Sequence, residues 1–379
     1  MAVQTVNSEE LHHWLEQGEP LVLLDVRSPQ EIAEWKIQTE PGLLVNIPYA
    51  AFEQGDASAW QDLPKGKKIA VICRRGRTAK LAADVLAEHG DYDLYVLERG
   101  MQGWSQFYHP VTVHADDSYT LIQMMRLGKG CLSYMIHSGG EAVVVDPGRH
   151  VEEYVRLAER EGVRIKHILD THLHADHISG ASELAAQTGA TYYLSAQEMQ
   201  EGVIRYEDVS RYERISLSGV DLQVLLMQTP GHTPGSVSFL VNDRWLLSGD
   251  TIFVSGLGRP DLGGKAQEWA LKLYETVLGQ IAPLSDDVVV LPAHFSEISE
   301  RCADGYVGAA LGRIRADNAV MRLTDAAAFA AEVTARIGTT PPNYAEIVQI
   351  NRGLVTADDD KRLELEVGPN RCAVKHLPQ

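Results

Sequence analysis

Four stretches of this chain each place a metal-binding side chain just past a short apolar strand, and that coincidence constrains the fold more than any other feature. The first is Thr171-His172-Leu173-His174-Ala175-Asp176-His177. The others are Gly231-His232, Gly249-Asp250 and Ala293-His294. Together they supply five histidines and two aspartates, all neutral or anionic ligands for a divalent cation. Each sits where a strand ends, so one sheet edge can gather all of them.

Spacing within the stretches carries chemistry. His172 and His174 lie two apart in a segment leaving a strand, and side chains two apart in extended backbone point the same way. Asp176 and His177 follow where a helix begins and can turn toward a second cation position. Thr229-Pro230-Gly231-His232-Thr233-Pro234-Gly235 is a rigid turn, since proline fixes φ and glycine lets backbone pass close. Imidazole with carboxylate suits zinc, iron or manganese. Four matched segments in fixed order are far more specific than a lone motif.

At 379 residues the chain is long for one domain. Residues 1–110 alternate apolar strands (Leu21 to Asp25, Lys68 to Cys73, Asp93 to Leu97) with a helix from Thr78 to His89. That alternation predicts a mostly parallel sheet with helices on its faces. The pattern changes across a short polar segment, His109 to Ser118. Strands are then expected at Leu121–Arg126, Cys131–His137, Ala142–Asp146, His167–Asp170, Asp221–Met227, Val237–Val241, Arg244–Leu247 and Val288–Leu291. Helices interrupt them at Val151–Glu161 and Ser179–Gly189, and roughly 305–353 reads as helical. The domains are therefore drawn as 1–112 and 118–353, with 354–379 a charged, irregular tail.

The net charge is -18, from 52 acidic and 34 basic residues, which repels nucleic acid and anionic membranes. No apolar run approaches the roughly 20 residues of a membrane-spanning helix. The first residues lack the basic start and apolar core of a secretory leader. Cys73, Cys131, Cys302 and Cys372 are far apart and form no C-x-x-C pair, which fits a reducing, cytoplasmic setting. Cys131 reads as strand core, and no role is assigned to Cys302 or Cys372.

Over about residues 119–300 the H-x-H-x-D-H run, G-H-T-P-G, G-D and A-H, in that order, resemble the metallo-β-lactamase superfamily. The resemblance implies an αββα sandwich with metal at one sheet edge. Two glutathione-linked groups within it are most similar: glyoxalase II, a dinuclear thioester hydrolase, and the persulfide dioxygenases, which use one non-haem iron. Ser248-Gly249-Asp250-Thr251-Ile252-Phe253 followed by Gly258-Arg259-Pro260-Asp261 resembles the dioxygenases, whose members carry a G-R-x-D turn after the metal aspartate. By that resemblance one Fe(2+) per chain is held by His172, His232 and Asp250, a facial triad with open positions. His174, Asp176, His177 and His294 then orient ligands and substrate, or hold a second metal, with Zn(2+) as the alternative cofactor. Arg259 is expected to hold Asp261 or a substrate carboxylate. Ala293-His294-Phe295-Ser296 differs from the A-H-D-Y of many glutathione persulfide dioxygenases. Glutathione persulfide is the preferred substrate, with coenzyme A persulfide next.

Cys73-Arg74-Arg75-Gly76-Arg77-Thr78 follows a buried strand and opens a helix. Backbone N–H groups at a helix N-terminus and three arginines favour a thiolate, or an anionic sulfur species bound to it. With Leu24-Asp25-Val26-Arg27, Glu31, Asn46-Ile47-Pro48 and Met101-Gln102-Gly103-Trp104, this loop resembles the rhodanese family across about residues 5–110. The resemblance implies sulfurtransfer through a persulfide on Cys73. The fold class expected is α/β: a rhodanese-like parallel sheet, then the αββα sandwich.

The two halves share sulfane sulfur as a substrate atom. The expected reaction oxidises a thiol persulfide with O2 to sulfite and free thiol, and Cys73 interconverts persulfide, sulfite and thiosulfate. A zinc thioester hydrolase fused to a rhodanese is the first competitor. A sulfur carrier or sensor with a vestigial metal site is the second. Neither nucleic acid nor membrane is expected as a partner, and a homo-oligomer is admitted.

Overall fold

The computed structural model describes residues 2–39, 42–224 and 228–375. The chain divides into two compact units. One is formed by residues 1–109 with 126–129 and 367–369, the other by 110–125, 130–366 and 370–379.

The first unit is built on a five-stranded sheet. Its strand order is Gln4–Val6, Asp93–Leu97, Lys68–Ile72, Leu21–Asp25, Leu44–Asn46, and every pairing is parallel. Period-2 alternation explains why both faces are covered. Ile69 and Val71 pack with Ala79, Ala82, Ala83 and Leu86 of the helix Arg77–His89. Ala70 and Ile72 pack on the other face with Leu11 and Trp14 of the helix Ser8–Glu16 and with Met101 and Trp104. The expected parallel sheet with helices on its faces is present.

Two mixed sheets organise the second unit. In a seven-stranded sheet, Glu207–Asp208, Thr191–Leu194, Arg164–Leu169 and Glu141–Val145 run parallel, and Cys131–Ser138 pairs antiparallel to the last. In a six-stranded sheet Trp245–Gly249 lies parallel to Val289–Pro292, flanked by antiparallel strands. Leu132 N donates to Ala293 O at 2.7 Å, and the Tyr134 hydroxyl donates to Pro292 O at 2.5 Å, so the sheets are stitched together beside His294. Leu246, Val290, Val277, Ile314 and Phe329 share one core between the second sheet and its helices. Of the expected strand Asp221–Met227, the described part pairs as Val220–Val224, and residues 225–227 lie outside the described residues.

The tail differs from expectation. It carries a helix, Asp359–Leu365, and a strand, Ala373–Lys375, paired antiparallel with Gly256–Gly258. Its charged sequence hides the ordering because tertiary partners supply it. Asn370 Nδ2 donates to Gly130 O and Phe295 O, and Cys372 is fully buried.

Candidate functional site

Strand ends position three of the candidate ligands. His172 follows Arg164–Leu169, Asp250 follows Trp245–Gly249, and His294 follows Val289–Pro292. All seven candidate ligands are at most 2% exposed.

Three donor atoms converge. His172 Nε2 and His232 Nε2 lie 3.6 and 3.3 Å from Asp250 Oδ2. None of the three has a hydrogen-bond partner, although all are buried. Orphaned buried polar atoms are costly unless a bound ion or ordered water satisfies them. Two imidazole nitrogens and one carboxylate oxygen facing each other fit a divalent cation. Burial, with neighbouring His174, holds the His172 ring well below the ordinary histidine range, and burial lowers His232 too. Both rings are therefore neutral and ready as ligands. Burial opposes ionisation of Asp250, but His294 and His172 outweigh it and keep the carboxylate charged.

The other candidates gather beside this triad. His174 turns Nε2 toward Asp146 Oδ1 at 3.2 Å, leaving Nδ1 without a partner. Asp176, His177 and His294 form a second group with Cys131. Burial works against a charged His177 ring, yet the Asp176 carboxylate prevails and raises it to about 10. His294 is raised well above its ordinary value in spite of burial, because Asp176 and Asp250 flank it.

Supports for these residues were not legible in the motifs. Asp146 Oδ1 accepts from Thr171 N at 2.7 Å. Glu198 bridges two ligand loops, accepting from Leu173 N at 3.3 Å and Gly235 N at 2.6 Å. Asn351 Nδ2 donates to His174 O and His177 O at 2.8 and 2.9 Å, and its Oδ1 accepts from Ser179 N at 3.0 Å. Asp146 does follow an apolar strand, the same signal as the ligands. Glu198 and Asn351 give no local signal.

Arg259 is 2% exposed, and its guanidinium is filled by protein. Its Nε and Nη2 each meet an Asp261 oxygen at 2.7 Å, and Nη2 also donates to Gly338 O and Thr340 Oγ1. Of the two roles expected for it, holding Asp261 is the one seen. Its carbonyl accepts from His232 Nδ1 at 2.9 Å, which turns His232 Nε2 to the triad. Such second contacts fix a ligand's tautomer. Gly258, just before it, must be glycine, because a Cβ there would sit 1.9 Å from Asp250 O and 3.0 Å from His232 Cβ.

In the first unit Cys73 follows the strand Lys68–Ile72, and Gly76 N donates to its Sγ at 3.1 Å. Gly76 caps the helix Arg77–His89 with φ +89°, so Arg77 and Thr78 open that helix. Arg74, Arg75 and Arg77 are exposed while Cys73 is 3% exposed, giving a basic rim around a recessed thiol. Met101 N and Gln102 N donate to the Cys73 and Arg74 carbonyls, fixing the loop. The early Asp25-Val26-Arg27 landmark is structural, with Arg27 paired to Asp25 at 2.6 Å and donating to Trp35 O.

Residues 126–294 match the metallo-beta-lactamase superfamily and residues 7–107 the rhodanese-like domain. The chain is 33% identical over 186 residues to a hydroxyacylglutathione hydrolase of Albidiferax ferrireducens, covering 47% of this chain and 68% of that protein. It is 32% identical over 159 residues to the mitochondrial persulfide dioxygenase ETHE1 of Homo sapiens, covering 41% and 59%. A metallo-beta-lactamase crystal structure from Staphylococcus aureus superposes with TM-score 0.57 at 28% identity, over 63% of this chain and 74% of that one. The chain spans about 60% of the length of most curated relatives it matches. The chain belongs to the metallo-beta-lactamase superfamily and carries a rhodanese-like domain ahead of that module. Within the superfamily it is similar to enzymes of the persulfide dioxygenase and hydroxyacylglutathione hydrolase kinds.

Proposed function

We propose that the chain oxidises a low-molecular-weight thiol persulfide with O2 and handles the sulfur products at Cys73. The domains proposed are a sulfurtransferase over 1–112 and a dioxygenase over 118–353, in a cytoplasmic protein. The observation that carries the reading is the convergence of His172 Nε2, His232 Nε2 and Asp250 Oδ2 as three orphaned buried donors. Two histidines and one carboxylate with open positions are the donor set of non-haem iron oxygenases. Iron held there would supply adjacent positions for the persulfide sulfur and O2.

The chain's own residues set the geometry. Arg259 O and His294 Nδ1 orient His232 and Asp250, at 2.9 and 2.6 Å. Persulfide, O2 and water are converted to thiol, sulfite and two protons. At the other site sulfite attacks the outer sulfur of a Cys73 persulfide, the S–S bond breaks, and the Cys73 thiolate leaves with thiosulfate formed. The Gly76 N–H and the arginine rim favour the anionic sulfur in both directions. Glutathione persulfide is the preferred substrate, with coenzyme A persulfide second.

A two-zinc thioester hydrolase is the second reading, favoured by the neighbouring Asp176, His177 and His294 and by the hydrolase relatives. Anaerobic purification with metal analysis and O2 uptake on both persulfides separates the two. Thioester hydrolysis without O2 uptake sinks the oxygenase reading. His232→Ala is expected to abolish O2 uptake and spare thiosulfate sulfurtransfer, and Cys73→Ser to do the reverse.

A further inference from the structure

Against the ligand loop the second unit encloses a cavity of about 270 Å³. At roughly 30 Å³ per molecule that is room for about nine waters, or for one small organic ligand of that size. Backbone builds it. Gly148 and Ser179 form an antiparallel bridge, and Gly180 N donates to Pro147 O at 2.7 Å. Gly180 admits no side chain, because a Cβ there would lie 2.3 Å from Gly148 O. Arg149 is thereby held beside the start of the helix Ala181–Thr188, and both border the cavity.

The polar groups of the wall are not all satisfied within the protein. Asp170 is 2% exposed, and its Oδ2 accepts from Ser179 Oγ and the Tyr192 hydroxyl at 2.7 and 2.9 Å. Its Oδ1 has no hydrogen-bond partner. His174 Nε2 lies 4.0 Å from that oxygen and is turned to Asp146 Oδ1 at 3.2 Å. Arg362 Nε is likewise buried without a partner, and the ion pair of Arg362 with Asp359 is long, at 3.9 Å. Arg149 gives Nε to Glu366 Oε2 at 2.7 Å. Four charged side chains line the cavity, Asp170 and Glu183 against Arg149 and Arg362, so the signs balance. Leu173, Ile178, Ile204 and Ile350 supply apolar surface between them.

A simple cation would satisfy Asp170 and face the arginines, and a simple anion would face Asp170. A zwitterion meets both, and an apolar side chain covers the rest of the wall. We propose that this cavity binds a free α-amino acid with a compact apolar side chain, its ammonium on Asp170 Oδ1 and its carboxylate on Arg362 and Arg149. An unpaired buried carboxylate oxygen is costly, and a bound ammonium removes that cost with a charge-assisted hydrogen bond. Leu173, His174 and Ile178 of the wall belong to or adjoin the loop that carries His172. The occupant therefore braces that loop from one side, while Asn351, also in the wall, holds its carbonyls. The proposal rests on the cavity alone and stands whatever reaction the triad performs.

Calorimetric titration of the full-length chain with L-leucine tests it without reference to activity. A ligand of this size is expected to bind with a Kd on the order of 0.1–1 mM. N-acetyl-leucine, which lacks the ammonium, and leucine amide, which lacks the carboxylate, should each bind at least about tenfold more weakly. Arg362→Gln should weaken leucine about 10–100-fold, and Ala186→Phe, at an exposed position of the wall, should block the cavity. Asp170→Asn should weaken it as strongly as Arg362→Gln, and the other two variants decide the matter if that one does not fold. Hydrogen exchange of residues 171–180 should slow several-fold on saturation, which places the ligand at this wall. No binding up to about 10 mM, equal binding of N-acetyl-leucine, or leucine affinity unchanged in both Arg362→Gln and Ala186→Phe overturns the proposal, and the cavity then holds water only.

Discussion

Asn351→Leu probes what holds the ligand loop in place. Asn351 is 7% exposed, and its amide makes three hydrogen bonds, to His174 O, His177 O and Ser179 N. Leucine has a similar volume, so cavity formation contributes little. It offers no polar atom, and two carbonyls and one N–H lose their partner. Each lost buried bond costs roughly 1–1.5 kcal/mol, giving about 3–5 kcal/mol in all. For a unit of this size that is a Tm decrease of about 6–15 °C. Cation affinity should fall as well, because His172, His174, Asp176 and His177 ride on the loop. Removing an outer partner of a metal ligand typically costs about 10–100-fold. Thermal unfolding of the metal-free chain, with and without added cation, measures both effects. A Tm within about 2 °C of wild type, together with unchanged cation affinity, would refute the claim that Asn351 organises the loop.

Gly100→Ala should distort the cysteine loop, since Gly100 has φ +54° and a Cβ would lie 2.1 Å from Cys73 O. Thiosulfate sulfurtransfer should drop by more than about tenfold while cation content is unchanged, and unaltered transfer kinetics would contradict it. Arg259→Lys breaks the two-point pairing with Asp261 and the bonds to Gly338 and Thr340, and is expected to cost about 2–3 kcal/mol. Denaturant unfolding measures that loss. A raised KM with unchanged stability would instead assign Arg259 to substrate. The triad's cation affinity should be nearly flat from pH 8 to 6. His172 and His232 have lowered folded values and stay neutral there, whereas two ordinary histidines would lose roughly tenfold to proton competition. By the same sign rule His172 and His232 lower the metal-free fold's stability as pH falls through the ordinary histidine value. His177, raised to about 10, stabilises it below that ordinary value and loses that contribution as pH rises through 10. Calorimetric titrations at pH 6 and 8 check the binding half, and a larger than tenfold loss would show the rings are not held neutral.

The candidate ligands were readable because metal chemistry restricts residue type and because strand ends are marked by apolar runs. Cys73 was readable for a similar reason, standing between a buried strand and a helix start. Arg259 was only half readable: its turn is visible, but that Gly338, Thr340 and Asp261 consume its donors depends on segments far away in sequence. The tail misled because charge and irregular spacing say nothing about partners that arrive from residues 130, 256–259 and 344.

What the sequence determined by itself is thus the local chemistry: two α/β modules, seven candidate ligand side chains near strand ends, and a thiol beside three arginines. What only the tertiary structure decided is how those ligands divide. His172, His232 and Asp250 face one point, while Asp176, His177 and His294 face another with Cys131, a residue that reads as plain strand core. The physical reason is that strand register and sheet-to-sheet pairing, such as the Cys131–His294 bridge, fix distances between residues more than 160 positions apart, and no local pattern encodes them.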